Sequence, residues 1–160
     1  MEGKEGLKTR TIHSNCNGGL ESINIAVLDQ IDSIFSSLTI AIKNFAVSKI
    51  NHEVSLRLKE FGWSDLVRLA EVSKITITSI RDDIGLCMQT GNVSRIYADL
   101  LKLQSLYAKN IIKSAIIIVP TGKAARKLGS NVASFERLCR ELPIFAQVIT
   151  LPIVIIAFEE

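Results

Sequence analysis

Two segments in the middle of the chain alternate between apolar and polar residues, which is the pattern of β-strands. They run from Lys74 to Ile80 and from Ile84 to Asn92, and Asp82 and Asp83 lie between them. Short alternating segments on either side of a two-residue turn are typical of a hairpin. We therefore predict an antiparallel β-hairpin with Asp82 and Asp83 at its turn.

The register of this hairpin assigns its side chains to two faces. Thr78 lies opposite Cys87 and Thr76 lies opposite Gln89, so these four side chains share one face. The other face supplies core and carries the apolar residues of both strands, which are Ile75, Ile77, Leu86 and Met88. A one-residue slip would exchange the faces. That alternative stays open, and it would make Asp82 and Asp83 candidate metal ligands.

Helical and strand patterns follow on both sides of the hairpin. Residues 20–50 carry apolar side chains at helical spacing and predict one long or two shorter helices, which either cover the sheet or pair two subunits. Asn51 is a candidate N-cap for the next helix, and residues 93–109 predict another. Residues 113–119 and 147–158 are strongly apolar and predict buried strands.

The second half of the chain also predicts a basic turn over residues 123–128 and a helix that is capped by Ser130 or Asn131. The predicted order of elements is therefore two or more helices, the hairpin, a helix, a strand, a helix and a last strand. This order predicts an α/β fold with a mixed β-sheet flanked by helices.

Residues 1–19 lack a hydrophobic period and contain several turn formers, so we predict a mobile N-terminal arm. The remaining residues, 20–160, have the length and the apolar content of a single domain.

Composition narrows the class of protein. Nineteen Lys and Arg residues against sixteen Asp and Glu give a net charge of +3, which permits nucleic-acid binding without arguing for it. Cys16, Cys87 and Cys139 are too widely spaced for a disulfide framework or a zinc site. The N-terminus lacks the apolar core of a signal peptide, and the longest apolar stretch is shorter than the ~20 residues that span a bilayer. We expect a cytoplasmic or otherwise intracellular protein without a membrane partner.

Several segments, taken in order, resemble type II restriction endonucleases of the BglII/BamHI kind, which have a PD-(D/E)xK-like nuclease fold. The segments are residues 89–104, 116–121, 129–137 and 151–156. The resemblance implies a restriction-endonuclease-like α/β fold, double-stranded DNA as partner, a homodimer, and Mg²⁺-dependent hydrolysis of DNA phosphodiesters.

In that family an Asp on the first strand and a Glu-x-Gln, Glu-x-Glu or Glu-x-Lys on the second hold the metal that activates water. Placed on this chain, the third position is Gln89, the Glu falls on Cys87, and the Asp falls near Thr78. Mg²⁺ takes hard oxygen ligands and usually needs one or two carboxylates. These three residues offer it no formal negative charge.

Two hypotheses about function follow from the resemblance. The first is a Mg²⁺-dependent type II endonuclease, and the second is a catalytically inactive, nuclease-derived DNA-binding or assembly protein. The missing carboxylates favour the second, and the enzyme status stays open. Cys87 is a candidate nucleophile or a small core residue. Gln89 orients a water or a phosphate, or bonds across the hairpin to Thr76.

Basic side chains are the candidate DNA contacts. Arg95, Asp99 and Lys102 share one face of a predicted helix. They form either a surface ion-pair face, or a site in which Asp99 orients Arg95 and Lys102 toward a phosphate. The densest basic cluster comprises Lys123, Arg126 and Lys127, and it is either solvated surface or a set of phosphate contacts.

Overall fold

In the part of the chain that the structure describes, five strands form the central sheet, and two short strands form a separate antiparallel pair. The computed structural model describes residues 8–160. In spatial order the sheet comprises β1 (Arg10–Cys16), β7 (Ile153–Glu159), β6 (Ser114–Pro120), β5 (Ile84–Met88) and β4 (Ser79–Arg81). β5, β6 and β7 are parallel, whereas β1 and β4 are antiparallel strands at the two edges. The separate pair is β2 (Val67–Arg68) with β3 (Thr76–Ile77).

From residue 8 to residue 160, six helices surround the strands. They are α1 (Gly19–Ser22), α2 (Ile25–Ser36), α3 (Val47–Glu60), α4 (Arg95–Ala108), α5 (Gly122–Leu128) and α6 (Phe135–Glu141), and a 3-10 turn over Leu142–Phe145 follows α6. α4 connects β5 to β6, and α5 and α6 connect β6 to β7, as parallel strands require. The predicted α/β fold, a mixed sheet flanked by helices, is confirmed. Within residues 8–160, no helix combines the length and apolarity needed to cross a membrane.

Apolar side chains fill the space on both faces of the sheet. On one face, α2 and α3 pack against Leu86 and Phe158, and the rings of Phe35 and Phe158 stack with centroids 5.0 Å apart. On the other face, α4 and α6 pack against Ile117 and Ile155. Every residue of β6 and β7 is buried, as expected for parallel strands with helices on both faces.

The prediction of a mobile arm over residues 1–19 is wrong for residues 10–16, which form the edge strand β1. All seven of its residues pair with β7. β1 has one large apolar side chain, Ile12, which is exposed, so no hydrophobic period marks it in the sequence. Backbone pairing holds it instead, together with a 2.8 Å hydrogen bond from Arg10 Nε to Glu159 Oε1. Residues 1–7 lie outside the described residues.

Three predicted helix boundaries are also wrong. α3 begins at Val47, so Asn51 lies inside the helix and not at its N-cap. The predicted basic turn is the helix α5, which begins where the hydroxyl of Thr121 accepts the N–H of Ala124. α6 has Ser134 at its N-cap, and not Ser130 or Asn131. Of these three helices, only α5 begins with a side-chain cap; α3 and α6 have no side-chain hydrogen bond at their N-caps.

The predicted hairpin register is confirmed between β4 and β5. Ser79 lies opposite Leu86 and Arg81 lies opposite Ile84, so Asp82 and Asp83 form the turn. The predicted pairing of Thr76 with Gln89 is wrong, because the first strand breaks at Thr78 and its earlier part joins β2.

The predicted division of the hairpin into an apolar face and a polar face is wrong. Leu86 and Met88 share the face of the sheet that α2 and α3 cover, as predicted. Ile77 lies on the opposite face with Cys87, and Ile75 is exposed to solvent. The break at Thr78 separates β3 from the alternation of β4. β5 has helices on both faces, so Cys87 is as deeply buried as its apolar neighbours.

Candidate functional site

A buried polar network lies where β5 ends. Nε2 of Gln89 donates to Oδ2 of Asp99 at 2.7 Å, and Nζ of Lys102 lies 3.1 Å from Oδ1 of the same carboxylate. Oε1 of Gln89 accepts the backbone N–H of Gly91 at 3.0 Å. Asp99 is only 5% exposed. Both carboxylate oxygens and both polar atoms of the Gln89 amide therefore already have partners.

The network forms because α4 returns over the strand that precedes it. Gln89 extends β5, since its backbone N–H donates to Ile118 O at 2.8 Å. The predicted face of α4 brings Asp99 and Lys102 together, but Arg95 makes no hydrogen bond to Asp99 within the described residues. Arg95 lies at the exposed start of α4, where its guanidinium comes within 3.5 Å of the position that a Cβ on Gly91 would occupy.

Thr78 has a structural bond at the break between β3 and β4. Its hydroxyl oxygen accepts the backbone N–H of Met88 at 3.0 Å, in place of the carbonyl that a continuous strand would supply. Ser79 lies opposite Leu86. Continuing this register by one residue places Thr78 opposite Cys87. The hydroxyl is therefore part of the sheet's hydrogen bonding.

Cys87 is 2% exposed, and its environment keeps the thiol protonated. Burial raises the pKa of Cys87 far above its ordinary value, and the nearby carboxylate of Asp99 raises it further. Cysteine acts as nucleophile or metal ligand in its thiolate form. These observations favour the small core residue over the nucleophile.

The other two alternatives from the sequence are settled by geometry. The predicted bond from Gln89 to Thr76 is not made, because Thr76 pairs with Arg68 in the second sheet. Asp82 and Asp83 are at the hairpin turn, where Asp83 lies 3.7 Å from Lys113. The shifted register that would bring them to the site is therefore wrong. In residues 8–160, no three His, Cys, Asp or Glu side chains group where they would hold a metal ion.

The basic cluster on α5 is partly neutralised. Nζ of Lys127 lies 2.9 Å from Oε2 of Glu160, and this hydrogen bond is the main cause of the lowered pKa of Glu160. Lys123 lies close enough to lower the pKa values of Glu159 and Glu160 further. Arg126 is exposed and forms no ion pair with any residue that the structure describes. Of the three predicted DNA contacts on α5, Arg126 has the charge that is least offset.

Arg126 and Arg137 line one cavity of about 230 Å³, together with Asn131 and Ser134. The loop that carries Asn131 is bonded to the loop of the polar network, since Ala133 N–H donates to Gly91 O and Val93 N–H donates to Asn131 O, both at 3.0 Å. The cavity therefore lies beside the Gln89 loop.

The sequence does not single out Arg137 as a partner of Arg126, because the two belong to different helices. The burial of Asp99 was missed for a similar reason, since its partner Gln89 comes from the end of a strand. The sequence offers one signal for each residue. Arg137 follows the basic cluster along the chain, and Asp99 shares a helix face with Lys102.

The family model of restriction endonuclease BglII/BglIII matches residues 12–158. The chain belongs to this family. Its structure is similar to that of restriction endonuclease BglII complexed with a DNA 16-mer, with a TM-score of 0.80 and 16% sequence identity over 94% of this chain and 78% of that chain. Free BglII matches with a TM-score of 0.74 and 16% identity, over 94% and 80% of the two chains. A search of curated proteins finds no significant match.

The residues at the expected metal positions do not fit Mg²⁺. This ion takes hard oxygen ligands and is usually bound through one or two carboxylates. The Thr78 oxygen and the Gln89 oxygen each accept a backbone N–H, and the Cys87 thiol is buried and protonated. Asp99 is the only carboxylate in the network, and its two oxygens bind Gln89 and Lys102.

Proposed function

We propose that this protein binds double-stranded DNA through a basic surface that comprises Arg95, Lys123, Arg126, Lys127 and Arg137. One observation carries the proposal: Arg126 and Arg137 line one cavity, and that cavity adjoins the loop beside which Arg95 lies. The loop that carries Asn131 forms part of the cavity wall and is hydrogen-bonded to the loop after Gln89. Guanidinium groups suit phosphate because they donate two parallel hydrogen bonds. Membership of a restriction endonuclease family supports this choice of ligand. DNA as ligand also implies an intracellular location.

The proposed binding is electrostatic and is tested by its salt dependence. Each phosphate contact adds about 0.9 to the slope of log K against log salt. Replacing both Arg126 and Arg137 by Ala is expected to lower affinity for a duplex and reduce the slope by about 2. Lys127→Ala is expected to change the slope less than Arg126→Ala, because Lys127 is held by Glu160. Arg137 is likewise paired with Glu141, at 2.9 Å, so we expect Arg126 to supply the larger part of the change in the double variant.

Lys109→Ala is the matched control. Lys109 is exposed at the far end of α4, away from the start of the helix where Arg95 lies. Its removal changes the net charge equally but leaves the basic surface intact. Equal losses for Lys109→Ala and for either Arg126→Ala or Arg137→Ala would show general charge attraction. Unchanged affinity and slope in the double variant would overturn the proposed surface.

We further propose that the chain by itself does not hydrolyse DNA. The support is the polar network, in which Lys102 supplies the positive charge beside Asp99 and Gln89 uses both of its polar atoms. Metal-assisted hydrolysis needs a bound ion that activates water. The alternative is Mg²⁺-dependent endonuclease activity, for which Lys102 would have to leave Asp99 and a second carboxylate would have to enter.

The partner that we propose beside DNA is a second copy of the chain. An apolar groove of about 190 Å³ lies between α4 and the segment after α6, and it is lined by Tyr97, Leu100, Leu101, Phe145, Val148 and Ile149. Leu101, Val148 and the adjacent Ile144 are exposed. A two-fold dimer would present the same basic surface to both strands of a duplex.

Sedimentation tests the homodimer. We expect a dimer for the native protein and a monomer after Leu101→Glu with Val148→Glu, because two buried charges would face each other across the two-fold axis. Val72→Glu is the control, since Val72 is fully exposed and lies outside the groove. A monomeric native protein at micromolar concentrations would refute the homodimer and leave the DNA proposal standing.

A further inference from the structure

Two of the three cysteines line the same cavity on the side of the sheet covered by α6. Cys16 is the last residue of β1 and Cys139 lies on α6, and the cavity between them measures about 290 Å³. Ser14 and Leu142 also line it. Both cysteines are half-buried and free. Their wide separation in sequence speaks against a disulfide framework, but the fold brings them to one place.

Ser14 lines the cavity together with both cysteines. Ser14 and Cys16 are two positions apart on β1, so their side chains point to the same face about 7 Å from each other. Burial raises the pKa of Cys139, and a hydrogen bond from Ser14 partly offsets this. Burial also raises the pKa of Cys16, and the charge of Cys139 adds to the increase. The pKa values of both thiols therefore depend on groups that line the same cavity.

We propose that Cys16 and Cys139 are a redox-active pair that forms a reversible disulfide by exchange with a small disulfide of the glutathione class. One cysteine attacks a sulfur of the oxidant and releases the first small thiol. The second cysteine then attacks the mixed disulfide and releases the second small thiol. The S–S bond of the oxidant breaks, the Cys16–Cys139 bond forms, and the oxidant is reduced by two electrons while the two cysteines each lose a proton.

Cys87 does not compete for this bond. It is 2% exposed on β5, whereas Cys16 and Cys139 are half-buried, and it is not among the residues that line the Cys16–Cys139 cavity. Exchange reactions need an accessible thiolate. Cys87 therefore serves as an internal reference thiol that stays reduced until the protein unfolds.

The bond would join the edge strand β1 to α6 across about 120 residues of sequence. A cross-link over a long loop restricts the unfolded chain and stabilises the folded state. Oxidation is therefore expected to raise the melting temperature by about 5–15 °C. The inference does not depend on DNA binding, because both its reaction and its readout use the protein alone.

The test treats the folded full-length protein with oxidised glutathione at mildly alkaline pH and counts free thiols. We expect the count to fall from three to one, peptide mapping to link Cys16 to Cys139, and the melting temperature to rise and to return after reduction. Cys16→Ser and Cys139→Ser are expected to abolish the rise, whereas Cys87→Ala keeps it. Three persisting thiols, glutathione adducts without the cross-link, or a bond between two chains would each overturn the proposal.

Discussion

Removal of the Lys102 charge tests whether the polar network is a closed ion pair. In Lys102→Met the side chain keeps most of its length, but the carboxylate of Asp99 loses its nearest positive charge. At an effective dielectric constant of about 20, two unit charges separated as this pair is attract by about 5 kcal/mol before solvation is counted. Lys102 is 25% exposed, so water partly replaces the lost charge. We expect unfolding free energy to fall by about 2–3 kcal/mol.

Asp99→Asn removes the other charge and keeps a similar shape. Because the bond from Gln89 can be kept by the Asn oxygen, the single variant is expected to lose about 1–2 kcal/mol. The double variant should lose less than the sum of the two, with a coupling energy of roughly 1–2 kcal/mol. Urea denaturation of the four proteins measures this coupling.

Lys113→Met is the control for the cycle. It removes one lysine from an exposed pair with Asp83 and is expected to change stability by at most about 0.5 kcal/mol. Strictly additive losses for Asp99→Asn and Lys102→Met would refute the reasoning. An effect of Lys102→Met as small as that of the control would refute it as well.

Three further perturbations test other parts of the structure. Thr78→Val should cost about 1–2 kcal/mol in denaturant unfolding, because the N–H of Met88 loses its acceptor, and Thr78→Ser should restore most of the loss. Thr78→Asp combined with Cys87→Glu should melt earlier than the native protein and gain melting temperature with Mn²⁺, whereas a variant insensitive to Mn²⁺ would show that two added carboxylates do not rebuild a metal site. Gly19→Ala should cost at least about 1–3 kcal/mol in thermal melts, because the new Cβ would lie 2.2 Å from the carbonyl oxygen of Ile153.

Elements with a hydrophobic period were predictable from the sequence. The apolar positions of α4, which are Ile96, Leu100, Leu103 and Leu106, are buried as the period required. The register of β4 and β5 was predictable because a two-residue turn leaves little freedom in pairing. β1 was not predictable, since an edge strand with one exposed apolar residue has no such period. Its position is set by pairing with β7, which comes at the other end of the chain.

The sequence proposes a set of candidate site positions, but it does not contain the hydrogen-bond partners that the structure gives them. The sequence shows that Thr78, Cys87 and Gln89 carry no formal negative charge, and the structure shows how each is used. Gln89 binds Asp99 because α4 folds back over β5, and Thr78 caps an amide because its strand breaks there. Contacts of this kind depend on tertiary placement, which local patterns do not contain.

Incubation of the purified native protein with duplex DNA, with and without divalent cations, tests the central claim most directly. One sample contains a chelator, and parallel samples contain Mg²⁺ or Mn²⁺. We predict salt-dependent binding in all samples and intact DNA in all of them, because Thr78, Cys87 and Gln89 carry no negative charge and Asp99 is already paired with Lys102. Cleavage that requires Mg²⁺ or Mn²⁺ and disappears in Asp99→Asn would contradict the account.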